Sequence, residues 1–404
     1  MNDTPRALRL HIGFFGRCNA GKSSLINAIS GQTVVIVSDV AGTTTDPVVK
    51  SMEIRGVGAC ALIDTAGFDD RSTLGDARRE QARRAAERSD VAVVVCGAQA
   101  DYSLEKEWVE MFAERNVPVV LVLGKSDMLV SAEHTARTIS DQLGRTPLLV
   151  SAASGEGVEA LIEALTEVGA KIRDVAAERT IFGDLVRRGD RVVLVMPQDE
   201  QAPAGRIILP QVQTLRELLD RGCVALCCQT DELAHTLASL AEPPQLVVTD
   251  SQVFGRVAEV LPEGVALTSF SVLMACYKGD GVAFVEGAKA IDALTEQSRV
   301  LIAEACTHAP ASEDIGRVKL PRMLRARVGE GLKVDVVGGA DFPADLTPYD
   351  LVIHCGACMF NRRHVLSRLE RATSKGVPMT NYGIAIAHLQ GVLPKVVWPS
   401  EGDK

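Results

Sequence analysis

Along residues 10–170, short apolar runs alternate with segments of helical spacing. The runs LRLHIGFF, ACALID, VAVVVC, VPVVLVLG and PLLVSA are bounded by turn residues and predict strands. Between them, residues 21–30, 76–89, the segment LEKEWVEMFAERN and residues 158–172 predict helices. Such alternation implies a mainly parallel sheet covered by helices. A more charged stretch, KIRDVAAER, reads as a linking helix. A second alternation follows: RVVLVMP, CVALCC and PQLVVTD as strands, QTLRELLDRG and DELAHTLASL as helices. Its tail, VFGRVAEVLPEG, carries Pro262 and Gly264 and suggests a boundary. The third part has strands VALTSF, SRVLIAEA, KVDVVGG and YDLVI. Its helices are GAKAIDAL, LPRMLRARVG and NRRHVLSRLERAT, and a Pro/Gly-punctuated tail closes it. The expectation is an α/β protein of three domains, 1–174, 175–262 and 263–404, the first the largest.

Composition narrows the class. The chain has 404 residues, 47% of them hydrophobic but only 4% aromatic, so its cores must be built from Val, Leu, Ile and Ala. The net charge of −9 argues against nonspecific nucleic-acid binding, which needs a basic surface. Residues 1–10 lack the apolar stretch of a signal peptide, and no uncharged apolar run has the ~18 residues of a membrane span. A cytoplasmic protein with no membrane partner is expected. Its ten cysteines are then not expected to form structural disulfides. Cys60, Cys96, Cys223, Cys227 and Cys228 lie in apolar runs and read as small core residues. Cys18 and Cys276 have no evident partner, which leaves Cys306, Cys355 and Cys358.

Residues 16–23, GRCNAGKS, fit G-x-x-x-x-G-K-[ST] after a predicted strand and before a predicted helix. In such a loop Gly16, Asn19, Ala20 and Gly21 bring backbone N–H groups to phosphate oxygens at a helix N-terminus, with Ser24 beside them. Lys22 would reach the β- and γ-phosphates, and Ser23 would bind Mg²⁺. Asp64-Thr65-Ala66-Gly67 ends the strand ACALI. Asp64 can hold Mg²⁺ through water, and the Gly67 N–H can meet a γ-phosphate. The intervening GTTTD, residues 42–46, sits where a switch loop belongs, with Thr44 the expected Mg²⁺ ligand. Asp127, in GKSD after Lys125, can accept guanine N1–H and N2–H₂; Ser151 and Ala152 would approach guanine O6. A GTP/GDP site follows, with Lys22, Thr44, Asp64 and Gly67 as its hydrolytic set.

These motifs resemble the potassium-activated, Era-like GTPases related to the tRNA-modification GTPase. That resemblance implies that Asn19 helps coordinate K⁺, that hydrolysis is K⁺-stimulated, and that intrinsic turnover is slow. Two departures stand out. Gly124 replaces the usual Asn of N-K-x-D, so weaker guanine affinity is expected. Phe68 follows DTAG where Ras-like enzymes place Gln, leaving Asp69, Asp70 and Glu80 as candidates to orient water. Arg78, Arg79, Arg83, Arg84 and Arg88 of the following helix read as a solvated face, with docking of an acidic partner as the alternative.

Cys306-Thr307-His308 follows one predicted strand, and His354-Cys355-Gly356-Ala357-Cys358 follows another. Ligands bind outside the carboxyl ends of strands in open α/β sheets, so both clusters can converge. Three thiols and two imidazoles are a metal-site composition. A Cys₃His zinc site and unligated buried cysteines are the other readings. His364 could line the site, although surface placement is the simpler expectation. His11, His134, His235 and His388 show no partner pattern.

The spacing C-x-H-x45-H-C-x-x-C, behind such a GTPase region, resembles the [FeFe]-hydrogenase maturation GTPases along the whole chain. The resemblance implies a middle dimerisation domain that pairs through a sheet edge, giving a homodimer with tetramer as a further possibility. It also implies a [4Fe–4S] cluster on Cys306, Cys355 and Cys358. The fourth ligand stays open among His308, His354, Asp199 and Glu200. The implied role is a scaffold and carrier for a two-iron subcluster precursor. That cargo would come from radical-SAM maturases and go to apo-[FeFe]-hydrogenase. A regulatory GTPase acting on RNA or ribosomes, with structural zinc, is the rival.

Overall fold

The computed structural model describes residues 4–32, 36–40, 48–69, 75–198, 205, 207–304, 314–339, 341–357 and 360–400. The chain forms two compact units, Met1–Ala177 and Glu178–Lys404.

The first unit runs β1 (Leu10–Gly16), α1 (Lys22–Gln32), β2 (Ile36–Val40), β3 (Val48–Ile54), β4 (Gly58–Asp64) and α2 (Gly75–Glu87). It continues with β5 (Val91–Cys96), α3 (Ser103–Glu114), β6 (Val119–Gly124), α4 (Ala132–Leu143), β7 (Leu148–Val150) and α5 (Val158–Ala177). The sheet order is β2-β3-β4-β1-β5-β6-β7. β4, β1, β5, β6 and β7 are parallel, and β2 and β3 add an antiparallel edge. Every residue of β5 is buried. A strand covered on both faces needs a continuous apolar run, which VAVVVC supplies. Each fully buried Val or Leu contributes roughly 1.5–3 kcal/mol relative to exposure. Cys60 and Cys96 are part of this core, and burial pushes both thiols up to about 12. KIRDVAAER does not form a separate linker helix: residues 171–177 are the last turns of α5.

The second unit begins with β8 (Arg191–Val195), α6 (Leu209–Asp220), β9 (Val224–Cys228), α7 (Leu233–Ala238), β10 (Leu246–Thr249), α8 (Phe254–Val260) and β11 (Ala266–Ser269). Then come α9 (Phe270–Lys278), α10 (Gly281–Lys289), β12 (Arg299–Ala303), α11 (Leu320–Val328), β13 (Lys333–Val337), β14 (Leu351–His354), α12 (Arg362–Ser374), β15 (Met379–Asn381) and α13 (Tyr382–Leu389). Two parallel four-stranded sheets result, β11-β10-β8-β9 and β13-β12-β14-β15.

The strand VALTSF, placed by the turn at Pro262 and Gly264 at the start of a third part, instead pairs with β10 and completes the first of these sheets. That turn is a connection inside an α/β repeat. One apolar cluster joins both sheets, with Val193 and Val247 from one and Leu301 and Val352 from the other. The tail returns as well: Val397 donates to the Leu267 carbonyl at 2.9 Å. It covers the β11 edge and leaves β9 at the other, where Val224 is 53% exposed. Cys227 of β9 is exposed and Cys228 half-buried, against the expectation of core placement, because an edge strand has one open flank. Among the described residues, no helix is long and apolar enough to cross a membrane.

Candidate functional site

β1 delivers the chain to the phosphate loop. Gly16 lies at φ +150°, and a side chain there would run into the Val95 carbonyl of the neighbouring strand. Asn19 at φ +60° and Gly21 at φ +103° complete a turn that few residues tolerate, and α1 starts at Lys22. The positive end of α1 therefore faces this loop. Lys22 is buried and its Nζ donates to the carbonyls of Gly16 at 3.0 Å and Arg17 at 2.8 Å. Burial lowers its pKa, with Asp64 opposing the shift.

Asp64 ends β4 opposite Phe14 of β1. Its Oδ2 accepts from Ser23 Oγ at 2.5 Å, while Oδ1 is buried with no hydrogen-bond partner among the described residues. An open carboxylate oxygen beside a hydroxyl is a hard oxygen donor set, which fits Mg²⁺. Gly67 packs so closely that a methyl group there would strike the Cys18 amide and sulfur. Thr44, the expected switch-loop threonine, lies outside the described residues, as does Asp70.

Asp69 accepts from the Cys18 amide at 2.7 Å, so this candidate for orienting water is tied to the phosphate loop. Glu80 pairs along α2 with Arg84 at 3.4 Å. Phe68 is buried and stacks on Trp108 with ring centroids 5.1 Å apart. It therefore anchors the segment after DTAG to α3 and cannot do the work of a glutamine.

At the base side, Lys125 takes φ +55° and starts a short turn, Ser126–Met128, in which Asp127 is exposed. The Lys125 stem lies over Gly21. Ser151 is buried and its hydroxyl accepts from the Ser154 amide at 3.2 Å, with half-buried Ala152 beside it. A cavity of about 390 Å³ opens between the phosphate loop and this turn, lined by Cys18, Asn19, Gly97, Gly124, Lys125 and Met128. Gly124 has a steric role: a Cβ there would lie 2.6 Å from the Ala20 carbonyl.

Sequence reading missed Glu105. It is fully buried on α3 and accepts from Arg17 Nε at 2.8 Å and Nη2 at 3.1 Å. Gln99 donates to the same carboxylate at 2.5 Å. This ion pair fixes the first residue of the loop after Gly16, and it raises the pKa of Arg17. The signal was present, since Glu105 stands three and four residues before the apolar Trp108 and Val109 on one helix face.

In the second unit, β14 ends at His354, opposite Ala303 of β12. The Cys355 amide donates to the Ala303 carbonyl at 2.9 Å. Ala357 turns back at φ +46°, and its N–H points to Cys355 Sγ at 3.4 Å. The chain toward Cys306 leaves β12 directly beside this turn. Cys306, His308, Cys358, Asp199 and Glu200 lie outside the described residues. Among those described, no three His, Cys, Asp or Glu side chains converge to hold a metal. A thiol at a strand end that receives a backbone N–H fits a thiolate-bound group, since such contacts accompany iron–sulfur ligands.

His354 does not fit the fourth-ligand expectation in this geometry. Its Nε2 accepts from Arg368 at 2.9 Å and its Nδ1 meets the Cys355 carbonyl at 2.6 Å. Arg368 can only donate, so the proton sits on Nδ1 and no ring lone pair is left. Burial, then the Arg368 charge, lowers its pKa to about 3 and keeps the ring neutral. His364 is buried and stacks on Phe360 at 4.4 Å, contrary to surface placement, because it lies on the inner face of α12. His11 and His388 also have partners that the sequence did not reveal: Asp90 at 3.5 Å and Asp292 at 3.0 Å. Glu304, buried just past β12, is held by Arg317 at 2.9 Å. Burial raises the pKa of nearby Tyr382, and the charges of Cys355 and Glu304 add to the shift.

Comparison with known proteins follows the same division. Residues 11–125 match the family model described as a 50S ribosome-binding GTPase. Residues 181–279 match the hydrogen maturase F dimerization domain, and 282–399 its tetramerization domain. The tRNA modification GTPase MnmE of Synechococcus sp. (strain JA-3-3Ab) is 37% identical over 160 residues, 39% of this chain and 33% of that protein. GTPase Der of Nitratidesulfovibrio vulgaris (strain Hildenborough) is 32% identical over 222 residues, 52% of this chain and 43% of that protein. The chain thus spans less than half the length of these curated relatives.

Among solved structures, Era in complex with MgGDPNP and a 16S ribosomal RNA segment aligns at 19% identity and TM-score 0.33. That alignment covers 54% of this chain and 91% of that one. The G domain of the T. maritima FeoB iron transporter aligns at 21% and 0.30, covering 40% and 98%. The two hydrogen maturase F matches together span more than half of the chain and lie after the GTPase match. The chain is a GTPase and belongs to the hydrogen maturase F family.

Proposed function

We propose that this GTPase is a scaffold and carrier for the two-iron subcluster precursor of [FeFe]-hydrogenase, and that its C-terminal part holds a [4Fe–4S] cluster. The observation that carries the reading is the Cys355 turn. It sits at the end of β14, directly beside the strand that leads to Cys306, and offers a backbone N–H to its own sulfur. Cys306, Cys355 and Cys358 would hold the cluster through thiolates, with His308, Asp199 or Glu200 at the fourth iron; an open iron site can accept a second iron unit.

In the N-terminal unit, Gly16, Asn19, Ala20, Gly21, Ser24 and Gly67 would line the phosphates, while Lys125, Asp127, Ser151 and Ala152 would read guanine. Ser23, Thr44 and Asp64 would serve Mg²⁺, Asn19 would hold K⁺, and Lys22 would neutralise charge developing on the phosphates during hydrolysis. Nucleotide state would then bias partner affinity through the switch segment. The partners in this reading are radical-SAM maturases and apo-[FeFe]-hydrogenase. The chain would also pair with itself, as the names of its two matched domains suggest; the exposed β9 edge supports pairing through the middle sheet.

Anaerobic reconstitution with iron and sulfide tests the cluster. About four irons per chain, lost in Cys355→Ala, is the expected result; zinc without iron would overturn it. Mixing loaded protein with apo-hydrogenase then tests delivery, and no gain in H₂ evolution would sink the carrier role.

A further inference from the structure

Transfer of a γ-phosphoryl group to water depends on where the water is held and how the developing charge is met. Phe68, the residue after DTAG, cannot hold that water, because its ring is buried against Trp108. Among the described residues, Asp64, Glu105 and Asp69 each accept a hydrogen bond from the phosphate loop. Asp64 accepts from Ser23, in the pair that fits Mg²⁺. Glu105 is fully buried and already takes donors from Arg17 and Gln99. Asp69 is half-buried, and only its Oδ1 is taken up by the Cys18 N–H, at 2.7 Å.

That N–H lies directly against Gly67, where an added Cβ would strike it. The Asp69 carboxylate therefore stands at the seam between the DTAG segment and the phosphate loop. The Phe68 N–H, donating to the Gly16 carbonyl at 3.4 Å, closes the same seam. Both sides of the seam are anchored on α3. Arg17 is held by Glu105 and Phe68 by Trp108, one helical turn further on. The carboxylate is thus set in place before any nucleotide arrives. Burial lowers the pKa of Lys22, and the Asp69 charge is among those that oppose the shift, so it acts within reach of that ammonium.

We propose that Asp69 is the catalytic residue that orients the attacking water in GTP hydrolysis. This inference rests on the phosphate placement proposed above. Oδ1 stays on the Cys18 N–H, and Oδ2 accepts a hydrogen bond from the water. The bond from the water oxygen to the γ-phosphorus forms as the bond from that phosphorus to the β–γ bridging oxygen breaks. GDP leaves, the water's protons end on the released phosphate, and Asp69 stays ionised throughout. A carboxylate beside a triphosphate also repels it. Removing its charge should therefore slow turnover without weakening binding, a pattern that loosening the fold would not give.

The test compares Asp69→Asn with Asp69→Ala in the full chain. Steady-state phosphate release gives kcat per folded chain, thermal melts give the folded fraction, and titration with GDP and a non-hydrolysable GTP analogue gives affinity. Asparagine keeps an oxygen for the Cys18 N–H but turns an NH₂ group, which cannot accept, toward the water. Asp69→Asn is expected to lower kcat about 10²-fold, the low end of what a positioned acid or base contributes. It should bind the GTP analogue as tightly as wild type or more tightly. Asp69→Ala should lose the same factor in kcat. If the carboxylate only ties the two segments together, Asp69→Asn will turn over like wild type while Asp69→Ala falls, and that result would overturn the proposal. A loss confined to nucleotide affinity would overturn it too. GDP affinity unaltered in Lys22→Ala would instead count against the phosphate placement itself.

Discussion

Two loops at the carboxyl ends of parallel strands define this molecule, and each is closed by a buried lysine on two backbone carbonyls. In the phosphate loop, Lys22 caps Gly16 and Arg17, six and five residues before it. In the cysteine loop, Lys278 caps Ala357 and Phe360, separated from it by 79 and 82 residues. The first lysine opens the helix it serves, so loop, cap and phosphate site are one stretch of sequence. The second comes from a different element, so the loop is shaped by tertiary packing. A local cap can leave its carbonyls for an incoming phosphate with little rearrangement. The second cap is also held from the other side, where Arg362 donates to the carbonyls of Tyr277 and Gly279. The same contact is thus made within one motif in the first unit and between distant segments in the second.

The largest expected difference lies in removing the phosphate-loop lysine. Lys22→Ala should lower kcat for GTP hydrolysis by about 10²–10³-fold, since deleting one preorganised donor to developing oxyanion charge costs about that much. Steady-state phosphate release measures it. A loss below about threefold would mean that Lys22 only caps the loop, as Lys278 does.

The static side of the comparison is probed by Arg368→Met. Arg368 is buried, donates to His354 and to the Gly339 carbonyl, and lies 4.7 Å over the Phe342 ring. Its removal leaves two buried acceptors unpaired, at about 2–4 kcal/mol. Urea unfolding of the apoprotein should show this loss in the C-terminal unit and leave the GTPase unit unmoved.

How much was legible follows the same line. GRCNAGKS, DTAG and GKSD are consecutive residues whose backbone shape is local, and the strands beneath them are the apolar runs that define the sheet. Glu105 was visible as a carboxylate on an apolar helix face. Lys278 was not, because nothing in FSVLMACYKGD indicates what its ammonium meets. His364 reads as surface because arginines surround it, yet it shares the inner face with Val365 and Arg368. The tail GIAIAHL carries no helical periodicity because α13 is buried almost all round. Pro262 and Gly264 signal a turn truthfully, but whether the next strand joins the old sheet or a new one depends on register with β10, which no local signal encodes.

Acid titration sharpens the contrast further, since the cysteine loop rests on a neutral imidazole. Unfolded, His354 takes a proton near its ordinary 6.5; folded, only near 3. Between those values the unfolded chain binds the extra proton. This contribution is therefore intact above about pH 6.5 and lost as pH falls toward 3, with a slope of at most about 1.4 kcal/mol per pH unit. His354→Gln should flatten that limb in urea midpoints measured from pH 7 to 5. An unchanged slope would place the acid sensitivity elsewhere.

The smallest effect concerns the base side of the phosphate loop. The motif suggests that Gly124→Asn would restore a missing brace and tighten guanine binding. The packing points the other way. Gly124 lets β6 approach the phosphate loop until a Cβ would sit 2.6 Å from the Ala20 carbonyl and 3.1 Å from Val95 Cγ1. Both neighbours belong to a loop and strand held by Lys22 and by the central sheet, so they can shift by only a few tenths of an ångström. Gly124→Asn should therefore cost roughly 1 kcal/mol of stability, at the low end for overpacking, and leave guanine-nucleotide affinity equal or weaker. Fluorescent GDP titration with a thermal melt reads both. Tighter binding without loss of stability would show that the loop yields, and that the glycine was only a missing side chain. Weaker binding would show that the phosphate loop of this GTPase has closed over the space where the asparagine of an N-K-x-D motif would stand, leaving base selection to Asp127.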